Sequence, residues 1–187
     1  MPLDPQIQIV LDLMKKANLP EFWRLTPDQA REQYAQRAGK LAVKEPIFRT
    51  EDRRIAGAGG DFAIRIYTPR AANADEKLPV LVWFHGGGFV IGSLDTHDSV
   101  CRVLGNQGDC IVVAVDYRLA PEHKFPAAVD DSMAALRWVS AHAPEFGGDA
   151  KRIAVGGDSA GGNLAAGVAI AARSFQQALA FALDLVV

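Results

Sequence analysis

A serine between glycines most constrains how this chain can fold. Residues 152–164 read RIAVGGDSAGGNL, in which a short apolar run, a serine among small residues and an alanine-rich helical pattern follow one another. Gly157 and Gly161 flank Ser159 symmetrically. A turn this tight leaves no room for a Cβ at the flanking positions and strains the backbone of the serine. The sequence therefore predicts a strand–turn–helix unit with Ser159 at the helix N-terminus.

The spacing G-x-S-x-G at such a turn is typical of a nucleophile elbow, where the serine hydroxyl attacks a carbonyl carbon. Free N–H groups and the helix dipole at a helix N-terminus favour negative charge there. The alternative is a glycine-rich turn in which Ser159 only caps a helix. The motif alone leaves both interpretations open.

Composition narrows the class of protein. The chain has 187 residues, 49% of them hydrophobic, and a formal net charge of −2 without a long basic or acidic block. Nothing in that balance points to nucleic acid or to an anionic membrane surface. Cys101 and Cys110 are too few for a disulfide framework, so each is predicted to be a small buried apolar residue.

The first residues carry Asp4 and prolines in place of a basic stretch followed by an apolar one, so they do not resemble a signal peptide. No apolar run approaches the ~20 residues that a membrane span needs. We therefore expect a soluble, cytoplasmic protein without a membrane span.

Two helices are predicted before any strand. Apolar residues recur at helical spacing over residues 3–17, and Thr26 with Pro27 opens a second helix that continues to about Ala38. These helices carry exposed apolar side chains, so residues 1–45 are interpreted as a helical appendage that lies over the remainder, residues 46–187.

The remainder predicts an α/β fold. Residues 47–56 and 61–68 read as an antiparallel strand pair joined by a glycine turn. After it, the continuous apolar runs at 78–84, 110–115 and 153–155 alternate with helical patterns around 97–107 and 126–141. Strands buried on both faces and alternating with helices predict a mostly parallel sheet with helices on both faces. Residues 178–187 read as a further buried strand.

A second glycine cluster follows the predicted strand at 78–84: His85, then Gly86, Gly87 and Gly88. Three glycines expose several backbone N–H groups and let a ligand approach closely. Ligands of open parallel sheets bind outside the carboxyl ends of the strands, which is where both clusters are expected. Serine attack on an ester creates an oxyanion that needs fixed N–H donors, so the two clusters predict one common site.

Three motifs in order, HGGG at 85–88, DYRLAPE at 116–122 and GDSAG at 157–161, resemble the hormone-sensitive-lipase family of α/β-hydrolases, bacterial carboxylesterases in particular. The resemblance implies an α/β-hydrolase fold in which residues 1–45 form part of a cap. It also implies that Ser159 is the nucleophile and that Gly87, Gly88 and Ala160 form the oxyanion hole, with His85 orienting the glycine loop. Small, short-acyl esters would be the substrates, without metal or organic cofactor.

The resemblance also implies residues that this sequence does not contain. In α/β-hydrolases the acid and the histidine of the triad follow the serine, yet after Ser159 there is only Asp184, in an apolar run, and no histidine. We therefore expect a C-terminally truncated chain, a sheet incomplete at its C-terminal edge, and homo-oligomers formed through that edge. The alternative function is a non-catalytic hydrolase-fold protein that binds a ligand or a partner.

The other polar residues are predicted to be structural. His97 with Asp98 reads as a capping or surface pair, because two ligand-type residues do not make a zinc site. Asp116, Arg118 and Glu122 are expected to form an internal charge network that fixes their loop.

Overall fold

The computed structural model describes residues 3–17, 20–42, 45–73 and 76–173, and its centre is a five-stranded mixed sheet with the strand order β1-β2-β4-β3-β5. The strands are β1 (Arg49–Ile55), β2 (Phe62–Thr68), β3 (Leu78–Phe84), β4 (Ile111–Val115) and β5 (Gly148–Gly157). β3 runs parallel to β4 and to β5, whereas β1 pairs with β2, and β2 with β4, in antiparallel register.

Helices cover both faces of this sheet. The helices are α1 (Pro5–Ala17), α2 (Pro27–Leu41), α3 (Asp98–Gly108), α4 (Ala127–His142) and α5 (Ala160–Arg173). α4 and α5 pack on one face, against a core that contains Val80, Val82 and Phe84 of β3. On the other face, Cys101 of α3 packs with Trp83 of β3. Because neighbouring residues of β3 point to opposite faces, the strand is buried on both, as its continuous apolar sequence predicts.

The two N-terminal helices differ in how they meet the core. α2 begins with a capping box, in which the Thr26 hydroxyl accepts from the Gln29 amide and the Gln29 side chain accepts from the Thr26 amide. Its Arg31 guanidinium donates to the carbonyls of Val90 and Ala120, which ties the helix to two loops of the core. α1, by contrast, has no buried residue.

The predicted fold class is confirmed, with the antiparallel pair, the parallel centre and the helices on both faces where the sequence placed them. β5 is longer than predicted, and α2 continues to Leu41. The strand predicted at 178–187, and with it the sheet edge proposed for homo-oligomers, lies outside the described residues. None of the helices described is long and apolar enough for a membrane crossing.

Candidate active site

The register of β3 and β5 brings the two glycine clusters together. Phe84, the last residue of β3, pairs with Gly157, the last residue of β5, in parallel register. The chain therefore leaves the sheet at the same edge from both strands. The Gly86 amide donates a 2.8 Å hydrogen bond to Oδ1 of Asp158, which joins the glycine loop directly to the serine turn.

The serine turn has the strained geometry that its sequence predicts. Ser159 adopts a left-handed backbone conformation with φ of 52°, and its side chain is exposed immediately before α5 begins. A Cβ built on Gly161 would overlap the carbonyl oxygen of Phe84, and one on Gly157 would meet that same oxygen and the Gly161 backbone. The flanking glycines are therefore needed for space, because β3, β5 and α5 meet there.

In the glycine loop, backbone conformation restricts the glycines in addition to space, since a Cβ built on Gly87 would overlap the Ile91 carbonyl oxygen. Gly87 and Gly88 have φ of 122° and 61°, conformations that L side chains rarely adopt. The Gly87 carbonyl accepts from the Val90 and Ile91 amides, so the loop turns back on itself. Within the described part of the chain, the amides of Gly87, Gly88 and Ala160 donate to no protein acceptor.

His85 lies beneath this loop, with its imidazole 2% exposed. Its Nδ1 donates to the Gly86 carbonyl oxygen at 2.8 Å, and its ring stacks on Tyr117 at a centroid separation of 4.3 Å. Burial lowers the pKa of His85 to about 4, against the hydrogen bond to Gly86, so the ring is neutral at pH 7. Nε2 finds no partner among the described residues. This geometry fits a loop-orienting role for His85.

Asp158 and His97 are site residues that sequence reasoning missed. His97 was predicted to form a capping or surface pair with Asp98, but it is buried, and its Nε2 lies 3.4 Å from Oδ1 of Asp158. The residue does stand at the N-cap position of α3, yet its side chain makes no capping hydrogen bond. The only available signal was the acidic residue next to the serine, and nothing in the sequence specified what that residue contacts.

The charged residues at 116–122 do not form the predicted network with one another. Arg118 donates to Asp131, which is fully buried, through Nε, Nη2 and its backbone amide. Glu122 pairs with Arg31 of α2 at 2.6 Å. Burial raises the pKa of Asp116. The contacts of Arg118 and Glu122 are consistent with the predicted structural role in fixing the loop, but their partners lie on α4 and α2 instead of within residues 116–122.

A cavity of about 360 Å³ opens beside the glycine loop. Gly88 and Asn163, a residue in the first turn of α5, both line it, so it reaches the edge where the two turns meet. Apolar side chains provide most of the remaining wall: Phe89, Ala120, Phe125, Pro126, Ala128 and Val129. The exposed face of the cavity also carries Lys124 and His123.

Across the described ranges, no group of three or more His, Cys, Asp or Glu residues is placed to hold a metal ion. Cys101 is a buried free thiol, as predicted, whereas Cys110 is only partly buried. Burial raises the pKa of both thiols, which keeps them protonated at neutral pH.

Comparisons with known proteins identify the same fold. A family profile described as the α/β hydrolase fold matches residues 81–185. Esterase LipI of Mycobacterium tuberculosis is 46% identical over 91% of this chain and 52% of its own length. Carboxylesterase NlhH of the same species is 53% identical over 68% of this chain and 40% of its own.

A solved structure extends the likeness to three dimensions. The hyperthermophilic esterase from the archaeon Pyrobaculum calidifontis superposes with a TM-score of 0.86 and 47% identity, covering 95% of this chain and 56% of that one. The chain thus spans about half the length of the relatives it matches.

Proposed function

This chain belongs to the hormone-sensitive-lipase family of α/β-hydrolases, and from that membership we propose that it carries the acylation site of a carboxylic-ester hydrolase with Ser159 as the nucleophile. The observation that carries the proposal is the convergence of an exposed, strained serine with three unpaired amides, those of Gly87, Gly88 and Ala160, at one edge of the sheet.

The proposed reaction is acyl transfer through the serine. Ser159 Oγ attacks the ester carbonyl carbon, a base takes the hydroxyl proton, and the carbonyl oxygen becomes an oxyanion. The amides of Gly87, Gly88 and Ala160 donate to that oxyanion. Donors of this kind are each worth roughly 3–4 kcal/mol of transition-state stabilisation. The carbon–oxygen bond then breaks, the alcohol leaves with a proton, and water later releases the acid from the acyl-enzyme.

The cavity beside Gly88 supports small apolar ester groups as the substrates. Its wall is mostly aliphatic and aromatic, and its volume of about 360 Å³ is at the small end of ligand sites. Relatives with the names Ethyl acetate hydrolase, from Pseudomonas putida, and Arylesterase, from Saccharolobus solfataricus, act by those names on ethyl acetate and on aryl esters. For this chain we propose small esters as the substrate class.

The proposal assigns the base to none of the three described histidines whose ring nitrogens already have polar neighbours, which are His85, His97 and His142. His85 Nδ1 is held by the Gly86 carbonyl, and His97 lies between Asp158 and Thr96. His142 donates to the Trp138 carbonyl at the far end of α4. In this proposal Ser159 supplies the nucleophile and the two glycine clusters supply the oxyanion donors, while the base that takes the hydroxyl proton is assigned to none of these three histidines.

Acyl transfer to Ser159 can be measured directly. The chain is treated with p-nitrophenyl butyrate or a fluorophosphonate, digested, and searched by mass spectrometry for the modified peptide. We expect an adduct on Ser159 and none in the Ser159→Ala variant. Ser140→Ala, which removes a hydroxyl from α4, is the matched control and should be labelled as the parent is.

Two results would overturn the proposal. One is equal labelling of the parent and Ser159→Ala, which would place the reactive group elsewhere. The other is the absence of any Ser159 adduct while the cavity still binds a non-hydrolysable ester analogue, which would favour the alternative of a non-catalytic binding protein.

A further inference from the structure

The acidic residue beside the nucleophile contacts the opposite side of the site. Asp158 occupies the variable position of the G-x-S-x-G turn, and its carboxylate reaches over to the glycine loop. Oδ1 accepts the Gly86 amide at 2.8 Å, and a Cβ built on Gly86 would overlap Oδ2. The loop therefore lies directly on this carboxylate, with no space for a side chain between them.

His97 holds the same carboxylate from a third segment. Its ring is 5% exposed, and its Nε2 faces Asp158 Oδ1 at 3.4 Å. Nδ1 lies 2.9 Å from the Thr96 hydroxyl, which itself accepts the Ser93 amide at 2.8 Å. The Thr96 hydroxyl also donates to the Ser93 carbonyl at 3.0 Å. The Nε2 atom faces the Asp158 carboxylate, which can only accept, so Nε2 is the ring nitrogen that donates there.

The surroundings of His97 also restrict its ring. Tyr34 of α2 lies on one side at a centroid distance of 6.3 Å, and His85 lies at 5.4 Å. Burial alone would raise the pKa of Asp158, but the hydrogen bonds from His97 and the Gly86 amide outweigh it, and the net shift is downward. Asp158 is therefore ionised at neutral pH and accepts from the Gly86 amide as a charged group, which makes that bond stronger than a neutral one.

The position of Gly86 decides where the next two amides point. Gly87 and Gly88 follow at once, both with positive φ, so a displacement at Gly86 carries through to their N–H groups. Oxyanion donors must be held within about 0.5 Å of the productive geometry. A carboxylate this near the expected oxyanion also repels it, so its location is better explained by holding the loop than by stabilising charge.

We infer that Asp158, held by His97, is a positioning residue that fixes the glycine loop against the serine turn and so aims the amides of Gly87 and Gly88. As a statement about the oxyanion hole the inference rests on the proposed function, but the loop geometry it specifies can be measured without turnover.

The first measurement is amide hydrogen exchange by NMR on the full chain. Asp158→Ala should increase the exchange rate of the Gly86 amide by roughly 10- to 100-fold, as expected for loss of a hydrogen bond to a charged acceptor, and should shift the Gly87 and Gly88 resonances. Asp158→Asn keeps an acceptor of the same shape and should restore most of the protection. Asp130→Ala, which removes an acidic residue from the first turn of α4, should leave all three amides unchanged.

The second measurement is the rate of Ser159 acylation by p-nitrophenyl butyrate at several ester concentrations. We expect Asp158→Ala to lower the limiting acylation rate roughly 10-fold or more while the half-saturating ester concentration stays the same. The alignment of the oxyanion-hole amides stabilises the transition state and does not contribute to binding of the ester itself. A merely structural role would change the spectrum of the distant β1–β2 pair, which therefore serves as the folding control.

The outcomes distinguish the positioning role of Asp158 from the proposed acylation of Ser159. Unchanged exchange at Gly86 in a folded Asp158→Ala variant overturns the positioning role, whatever happens to acylation. Faster exchange together with a parent chain that never acylates at Ser159 supports the loop-positioning role and overturns the proposed function instead. Faster exchange with an unaltered acylation rate in a reactive chain would mean that the loop does not bear on the reaction, and this also overturns the inference.

Discussion

The turn after β5 and the loop after β3 are both rich in glycine and both begin at the carboxyl ends of neighbouring strands, but the reasons for their glycines differ in part. In the serine turn, Gly157 and Gly161 have ordinary backbone angles and are needed because a Cβ would strike the Phe84 carbonyl. In the loop, Gly87 and Gly88 have positive φ, and a Cβ at Gly87 would also strike the Ile91 carbonyl oxygen, whereas nothing lies near one at Gly88. Space specifies the two glycines of the serine turn, while backbone conformation is an additional restriction in the loop and the sole one found at Gly88.

The supports of the two turns differ as well. The serine turn is closed by its own backbone, in which Gly161 N donates to the Asp158 carbonyl and Asn163 N to the Ser159 carbonyl. The glycine loop depends on partners that are distant in sequence. Its supports are the Asp158 carboxylate on Gly86, the Tyr117 hydroxyl on the His85 carbonyl, the Ala120 amide on the Phe89 carbonyl and Arg31 on the Val90 carbonyl.

This difference explains which turn can be predicted from a short segment of sequence. A turn that is closed by local backbone and by steric fit has its determinants within a few residues. A loop that is held by three distant segments, namely the serine turn, residues 117–120 and α2, has most of its determinants elsewhere. The contrast can be tested at single glycines, one turn at a time.

Gly161→Ala should give the largest effect. The added Cβ would overlap the Phe84 carbonyl oxygen, a backbone atom that cannot move without disturbing the β3–β5 pairing. We expect a loss of about 3 kcal/mol or more in the free energy of unfolding, at the upper end of overpacking effects. Urea denaturation followed by far-UV circular dichroism measures it.

Gly167→Ala is the matched control for that change. It lies in the same helix, is exposed, and has no atom within 4 Å of the added Cβ. Replacing a helical glycine with alanine should instead stabilise the chain by about 0.5–1 kcal/mol. If both variants unfolded at the same urea concentration, space would not be the reason for glycine at 161.

The parts of the fold that were predictable have local causes. Val80, Val82 and Phe84 belong to an unbroken apolar run, and such a run is typical of a strand buried on both faces. Thr26 and Pro27 predict the start of α2, because the hydrogen bonds of a helix cap form within one helical turn. The meeting of the two glycine clusters followed from a general rule about the carboxyl ends of parallel strands.

The parts that were missed are pairings between distant charged groups. Arg31 and Glu122 lie 91 positions apart, and nothing in either segment specifies the other. His97 is polar and stands next to Asp98, so surface exposure was the natural expectation, yet the fold buries it against Asp158. A sequence shows which groups carry charge, but the choice of partner is made by tertiary packing.

Acid should lower the free energy of unfolding by protonating His85, which is buried beneath the glycine loop. Its folded-state pKa of about 4 lies below the ordinary 6.5, so the unfolded chain binds a proton first as the pH falls. The stability contributed by the neutral buried ring is complete above about pH 6.5 and is lost towards pH 4, by about 3 kcal/mol in total. Urea denaturation between pH 7 and pH 4.5, where most carboxylates are still ionised, measures most of that loss.

Two histidine variants show whether this dependence of stability on pH comes from His85. His123→Asn replaces an exposed histidine and should keep the parent's dependence on pH. His85→Asn should unfold at lower urea concentration at pH 7 but show a flatter dependence between pH 6.5 and pH 4.5. A parent whose stability does not change over this interval would contradict the buried neutral ring.

Gly88→Ala should cause the smallest loss in the free energy of unfolding, and it tests the backbone conformation separately from steric overlap. Gly88 has φ of 61°, and no atom lies within 4 Å of a Cβ built there. Left-handed geometry alone should then cost about 1 kcal/mol for alanine, and less for Gly88→Asn, because asparagine tolerates this region. Urea denaturation of the two variants beside Gly161→Ala gives the ranking. Equal losses for alanine and asparagine at 88 would mean that this position resists any side chain, and the distinction between Gly161, limited by space, and Gly88, limited by φ, would not hold.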